Sequence, residues 1–175
     1  MDLEKFIRTV PNFPIKGINF YDITTLFENN ITFNYIINLL FDRYKSARID
    51  KVVGIEARGF MLGSALAYKL NVGFVPIRKK GKLPYKTISE TYSLEYGEDT
   101  VEIHIDAIKK NQNILLVDDL IATGGTAIAS AKLIKNLDGI IKECCFIIDL
   151  PELGGSNILI QKGFNVFNIL SLEEK

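Results

Sequence analysis

The stretch Ile114-Leu115-Leu116-Val117-Asp118-Asp119-Leu120-Ile121-Ala122-Thr123-Gly124-Gly125-Thr126 constrains this chain more than any other. Residues 114–117 are apolar, branched and uninterrupted, the pattern of a strand buried on both faces of a parallel sheet. Parallel strands need crossover connections, so such a chain must alternate strands with helices. Asp118 and Asp119 fall at the carboxyl end of the expected strand, where open α/β sheets place their ligands. Thr123-Gly124-Gly125-Thr126 then brings backbone N–H groups and two hydroxyls to the start of a helix, a setting suited to a phosphate. A side chain at either glycine would keep the phosphate off that backbone. Carboxylates for hydroxyls beside donors for a phosphate suit a phosphorylated sugar. The stretch is not a P-loop, because no Gly-Lys-Ser/Thr tripeptide occurs.

The rest of the chain supports the alternation. Over residues 2–10, Leu3, Phe6, Ile7 and Val10 predict a short helix, ended by Pro11 and Pro14. Phe33, Ile36, Ile37, Leu40, Phe41 and Tyr44 recur at steps of three and four, predicting an amphipathic helix over 32–46. Strands are expected at 51–55 and 73–77, with a helix over 60–70 between them. Residues 79–89 are polar, basic and interrupted by Pro84, which predicts an exposed loop, and 91–95 with 100–104 predict a hairpin. After the strand at 114–117 come a helix over 125–137, a strand at 141–150, a helix over 155–162 and a strand at 164–170. The expectation is one α/β domain over 1–175, a mainly parallel sheet flanked by helices. No repeat or low-complexity tract interrupts it.

Composition narrows the class. Lys+Arg and Asp+Glu both number 21, and this zero net charge argues against a general nucleic-acid or membrane-surface binder. No apolar stretch approaches the length of a bilayer span, and the opening Asp2 and Glu4 do not fit a signal peptide. Cys144 and Cys145, the only cysteines, are neighbours in an apolar run, so on a strand they point to opposite faces and read as core thiols. Together these features point to the cytoplasm.

Further motifs carry chemistry. Glu56-Ala57-Arg58-Gly59-Phe60 follows the strand at 51–55 and leads into a helix, so Arg58 can receive a second anionic group. Arg78-Lys79-Lys80-Gly81-Lys82-Leu83-Pro84 concentrates positive charge at the root of a long loop, and long loops in compact domains are often lids. Such cations suit a multiply charged leaving group. His104, the only histidine, lies outside every motif and reads as structural.

The thirteen-residue stretch resembles the signature of the type I phosphoribosyltransferases. The resemblance implies that Asp118 and Asp119 hold the ribose hydroxyls of phosphoribosyl pyrophosphate and that Ala122, Thr123, Gly124, Gly125 and Thr126 hold its 5′-phosphate. It implies that Ala57, Arg58, Arg78, Lys79 and Lys82 receive pyrophosphate, with a non-proline cis peptide bond expected at Ala57-Arg58. Ser89-Glu90-Thr91-Tyr92-Ser93-Leu94-Glu95-Tyr96-Gly97 is similar to the branch of that family that salvages adenine to AMP. So are Pro11-Asn12-Phe13-Pro14, Gly17 to Thr24, and Asp149-Leu150 with Leu153-Gly154-Gly155. From that branch, Glu95 is expected as the acid/base group at adenine N7 and Tyr96 as a residue that closes with the lid over residues 79–100. Phe13 and Leu150 are expected to frame the adenine ring, with the main chain at Asn19 and Tyr21, in an amino-terminal base-site segment over 1–30. Mg2+ is implied as cofactor, bound mainly through the substrate without a dedicated protein cage. A homodimer is implied too. Tyr21 departs from the arginine usual in the family, which puts that side chain's role in doubt. A hypoxanthine or guanine enzyme would need a lysine in the strand after the signature helix, and none follows Lys142 there. A nucleic-acid-binding sensor of the same fold would need spare length or net positive charge.

Overall fold

The computed structural model describes every residue except 14, 18, 94–96 and 174–175. In chain order the strands are β1 (Arg8–Pro11), β2 (Asn19–Asp22), β3 (Lys51–Ile55), β4 (Gly73–Lys79), β5 (Thr87–Ser93), β6 (Glu98–His104), β7 (Asn113–Ile121), β8 (Ile140–Asp149) and β9 (Val166–Ser171). The helices are α1 (Thr24–Glu28), α2 (Asn30–Tyr44), α3 (Arg58–Leu70), α4 (Gly125–Asn136) and α5 (Gly155–Gln161). Seven strands form one sheet in the order β5-β6-β4-β3-β7-β8-β9, and β1 pairs with β2 in a separate ribbon. The pairs β3–β4, β3–β7, β7–β8 and β8–β9 are parallel, while β6 runs antiparallel to β4 and β5.

The sheet is covered on both faces, as the apolar runs require. Leu115, Val117, Cys145 and Ile147 pack with α2 and α3 on one side, whereas Leu116, Cys144, Phe146 and Val53 pack with α4 and α5 on the other. Cys144 and Cys145 are free thiols in opposite cores, as strand alternation predicts. Burial pushes both thiols up to about 12, which keeps them protonated and inert. The chain leaves β3 through α3 to reach β4 on one side and leaves β7 through α4 to reach β8 on the other. The crevice between the carboxyl ends of β3 and β7 is therefore the topological switch point of the sheet.

Three expectations need correction. Residues 2–10 do not form a helix: Glu4–Phe6 makes one 3₁₀ turn, and Arg8–Pro11 becomes β1, paired Arg8↔Asp22 through Pro11↔Asn19. Of the supposed apolar face only Leu3 is fully buried, and an Arg8–Asp22 ion pair at 3.3 Å ties the ribbon's end. The strand predicted at 114–117 extends through the acidic pair to Ile121, because Asp118, Leu120 and Ile121 continue the ladder with β8. The predicted loop at 79–89 shrinks to 80–86, since β4 runs on to Lys79 and β5 starts at Thr87. The hairpin is present, with Thr91↔Thr100 and Ser93↔Glu98 in register. Helix α1 was not foreseen. Asp22, just before its N-cap Ile23, accepts from the Thr24 hydroxyl at 2.6 Å and the Thr24 N–H at 3.0 Å.

Candidate active site

An ion pair joins the two strand ends at the crevice. Arg58, the first residue of α3, donates from Nε to Asp119 Oδ2 at 2.6 Å. The Asp119 N–H donates to Asp118 Oδ1 at 2.9 Å. The Asp118 carboxyl is pushed well above its usual range, first by burial and then by the charge of Asp119 beside it. Burial opposes the charge on Arg58, but Asp119, Asp118 and Asp22 together outweigh it and hold its pKa up. Gly59 allows the close approach of α3 to β7. A Cβ there would lie 2.8 Å from Asp118 Oδ1 and 3.0 Å from the Val117 carbonyl.

Beyond the acidic pair, residues 122–126 wrap the amino terminus of α4. Gly124 has φ +84°, a left-handed conformation that a side chain would strain. The N-cap residue Gly124 has no side chain to cap α4, and the first turn of the helix borders a cavity of about 130 Å³ lined by Ala122, Thr123, Gly124, Gly125 and Thr126 with Asp118. The loop is propped from behind. The Gly155 N–H donates to the Ala122 carbonyl at 2.9 Å, and a Cβ at Gly155 would collide with that same oxygen. Leu153-Gly154-Gly155 thus acquires a physical role that its sequence did not disclose.

A second cavity, of about 340 Å³, adjoins the first, and Glu56, Ala57, Arg58, Lys79, Asp118 and Asp119 line it along with Tyr92, Asp99 and Thr126. Lys79 Nζ sits 2.9 Å from Asp99 Oδ2, and this contact holds the lysine's pKa up and the aspartate's down. Arg78 and Lys82 are not among the lining residues; both turn to Glu56. Sequence reasoning missed Glu56, Tyr92 and Asp99 here, although the first two lay inside quoted motifs. The cis peptide bond is Glu56-Ala57, not Ala57-Arg58. The irregular backbone falls between the end of β3 at Ile55 and the start of α3 at Arg58, so Arg58 already belongs to the helix.

The base-site residues gather less tightly. Phe13 is half exposed and meets Phe20 edge-to-face at 5.2 Å. Phe20 in turn lies 5.9 Å from the Arg58 guanidinium. Alternation along β2 sends Asn19 and Tyr21 the other way, into a polar cavity shared with Ser171 and Glu173. There the Tyr21 hydroxyl donates to the Glu173 carbonyl at 3.0 Å. Leu150 is buried at the end of β8, its N–H donated to the Ile121 carbonyl. Glu95 and Tyr96 lie outside the described residues. His104 meets Tyr85 edge-to-face at 6.1 Å and is not among the residues lining either cavity.

Comparison with known proteins agrees with this geometry. Residues 22–158 match the family described as "Phosphoribosyl transferase domain". The chain belongs to the phosphoribosyltransferase family. An adenine phosphoribosyltransferase of Desulfosudis oleivorans is 53% identical over 99% of both chains. The crystal structure of the adenine phosphoribosyltransferase from Thermoanaerobacter pseudethanolicus superposes with a TM-score of 0.93, at 44% identity over 98% of each chain. That of the Trypanosoma brucei enzyme, in complex with AMP, pyrophosphate and ribose-5-phosphate, gives 0.89 at 29% identity over 98% of this chain and 78% of that one. Its particular place is therefore among the adenine phosphoribosyltransferases.

Proposed function

We propose a division of labour among this chain's residues for the reaction of that branch, transfer of the 5-phosphoribosyl group from phosphoribosyl pyrophosphate to adenine, giving AMP and pyrophosphate. The observation that carries it is the Arg58–Asp119–Asp118 chain beside the glycine-capped amino terminus of α4. The carboxylates of Asp118 and Asp119 accept the ribose hydroxyls, and residues 122–126 receive the 5′-phosphate through backbone N–H groups. Arg58 receives pyrophosphate, joined by Lys79, Arg78 and Lys82 as the lid over 79–100 closes. Adenine lies between Phe13 and Leu150 and meets the main chain at Asn19 and Tyr21. Glu95 hydrogen-bonds its N7 and handles the proton, while Tyr96 covers the site.

Bond breaking at ribose C1′ runs ahead of attack by adenine N9, which leaves a cation-like ribose. The enzyme's largest contribution is to hold the two substrates in line, an effect worth about 7–11 kcal/mol, against 10²–10⁴-fold for acid/base assistance. The larger cavity suits Mg2+. Its lining sets the carboxylates of Asp99 and Asp119 beside Arg58 and Lys79, a mixed-charge setting that a polyphosphate enters more readily with a counter-cation. The ion is carried mainly by the substrate's own oxygens, since Mg2+ keeps much of its water and bridges phosphate and hydroxyl groups. Bound Mg2+ supplies neutralisation of the departing pyrophosphate.

The protein acts as a cytoplasmic homodimer. Exposed Ile31, Met61 and Tyr68, beside a shallow groove lined by Phe27, Phe33 and Ala65, form an apolar face suited to a second copy. Sedimentation at micromolar concentration tests this, and a monomer would reject it. The reaction is tested by AMP formation from radiolabelled adenine, with and without Mg2+, beside hypoxanthine and guanine. Mg-dependent product with adenine alone is expected. Product with the oxo-purines, or none with adenine, would overturn the assignment.

A further inference from the structure

Glu56 stands where the β3–β4 ladder ends. Pairing of Ile55 with Ile77 sets Glu56 beside Arg78, and the Glu56 N–H donates to the Ile77 carbonyl at 3.0 Å. Its side chain is 8% exposed and gathers the base of the lid. Oε2 accepts the Lys79 N–H at 2.7 Å and lies 3.4 Å from Arg78 Nε. Oε1 accepts the Lys82 ammonium. Arg78 Nη1 also donates to the Lys82 carbonyl at 3.2 Å, so the two cations are tied to each other as well. Burial would raise the Glu56 carboxyl, but the hydrogen bonds from Lys82 and Lys79 and the charge of Arg78 prevail and hold it below its usual range. Glu56 lines the same cavity as Arg58, with Asp99 and Tyr92 on the facing strands. A carboxylate that lines an anion site and holds two neighbouring cations occupies those cations as the anion would.

We propose that Glu56 is a positioning residue that competes with pyrophosphate for Arg78 and Lys82. It holds them in the empty enzyme, yields them when the substrate arrives and takes them back as pyrophosphate leaves. This rests on the reading that those two cations meet pyrophosphate. Its consequence is a product affinity lower than the cations alone would provide, because each binding event must first break the Glu56 contacts.

The sign of one measurement separates competition from mere support. Glu56→Gln keeps the side chain's size and its acceptor for the Lys79 N–H but removes the charge. Competition predicts that the variant binds magnesium pyrophosphate about tenfold more tightly than wild type by calorimetry, with a matching fall in its inhibition constant against phosphoribosyl pyrophosphate. A scaffold role predicts the opposite, since cations released from their anchor would bind more weakly. Lys82→Gln and Arg78→Gln are measured alongside. If they weaken pyrophosphate while Glu56→Gln is unchanged or weaker, the competition is wrong and the cation assignment survives. If neither weakens it, the assignment fails and the competition with it. Should Glu56→Gln fail to fold, Glu56→Asp is too short to span both cations and carries the same expected sign.

Discussion

Asp118 and Asp119 stand on a strand with a ladder on either side, whereas Asn19 and Tyr21 stand on a two-stranded ribbon that pairs only with itself. β7 is paired with β3 as far as Val117 and with β8 on to Ile121, and α3 and α4 cover it. The ribbon packs Tyr21 and the neighbouring Leu3, Ile7 and Ile23 against the core and is tied by polar contacts at its ends. Thr25 donates to the Phe6 carbonyl, Arg8 meets Asp22, and Tyr21 meets Glu173. The sugar half of the site is thus built into the core, and the base half is fastened onto it. Substitutions should be severe in the first region and graded in the second.

The largest effect is expected for Asp118→Asn with Asp119→Asn. Losing charge-assisted hydrogen bonds, each worth about 1.5–3 kcal/mol, should weaken phosphoribosyl pyrophosphate by about 10²-fold or more. Calorimetry returning the wild-type affinity would end the ribose assignment. Next is Gly59→Ala, whose methyl would press on Asp118 and the Val117 carbonyl. A loss of about 1–3 kcal/mol is expected, read as a lower Tm together with weaker binding of the sugar phosphate. A variant that loses stability and keeps full affinity would mean that α3 does not position Asp118.

The single change Asp118→Asn sharpens the contrast by moving stability and function in opposite directions. The folded pKa of Asp118 is raised, so its protonated form contributes stability that is fully present below the ordinary value of 3.8 and lost as pH rises through the folded value. Asparagine stays neutral throughout. The unliganded variant should therefore melt above wild type near neutral pH, by roughly 2–4 °C for each kcal/mol recovered, and the gap should close toward acid pH. A gap that widens on acidification would contradict the raised pKa.

The ribbon should respond more gently. Tyr21→Phe removes one hydrogen bond, worth about 0.5–1.5 kcal/mol, and should raise the KM for adenine a few-fold with that for phosphoribosyl pyrophosphate unmoved. Equal changes in both would show that the ribbon and the crevice are not separable. Smallest is Arg8→Gln, where the exposed pair should contribute less than about 1 kcal/mol and lose that contribution in salt.

Much of the crevice was legible beforehand because its signals are local. An uninterrupted branched run, an acidic pair and a double glycine each carry their own structural consequence, and β3 begins and ends where its sequence predicts. The ribbon was misread because residues 2–10 have helical spacing but too few turns to form without tertiary support, and pairing with Asn19–Asp22 decided otherwise. Asp118 and Asp119 were placed after their strand, since two charged residues normally end a buried run; the β8 ladder carries the strand through them. Arg78 and Lys82 were legible as charge but not as partners. A run of cations has no direction until the register of β3 on β4 sets Glu56 beside it.

By itself the sequence determined the alternation of strands and helices, the covered parallel sheet and the residue types suited to a phosphorylated sugar, because periodicity and turn chemistry act over a few residues. The tertiary structure alone decided that Arg58 reaches Asp119, that Gly155 props the phosphate loop and that Glu56 gathers the lid's cations. Those contacts span 61, 33 and up to 26 residues of chain, and only the packing of distant elements brings their partners within hydrogen-bonding distance.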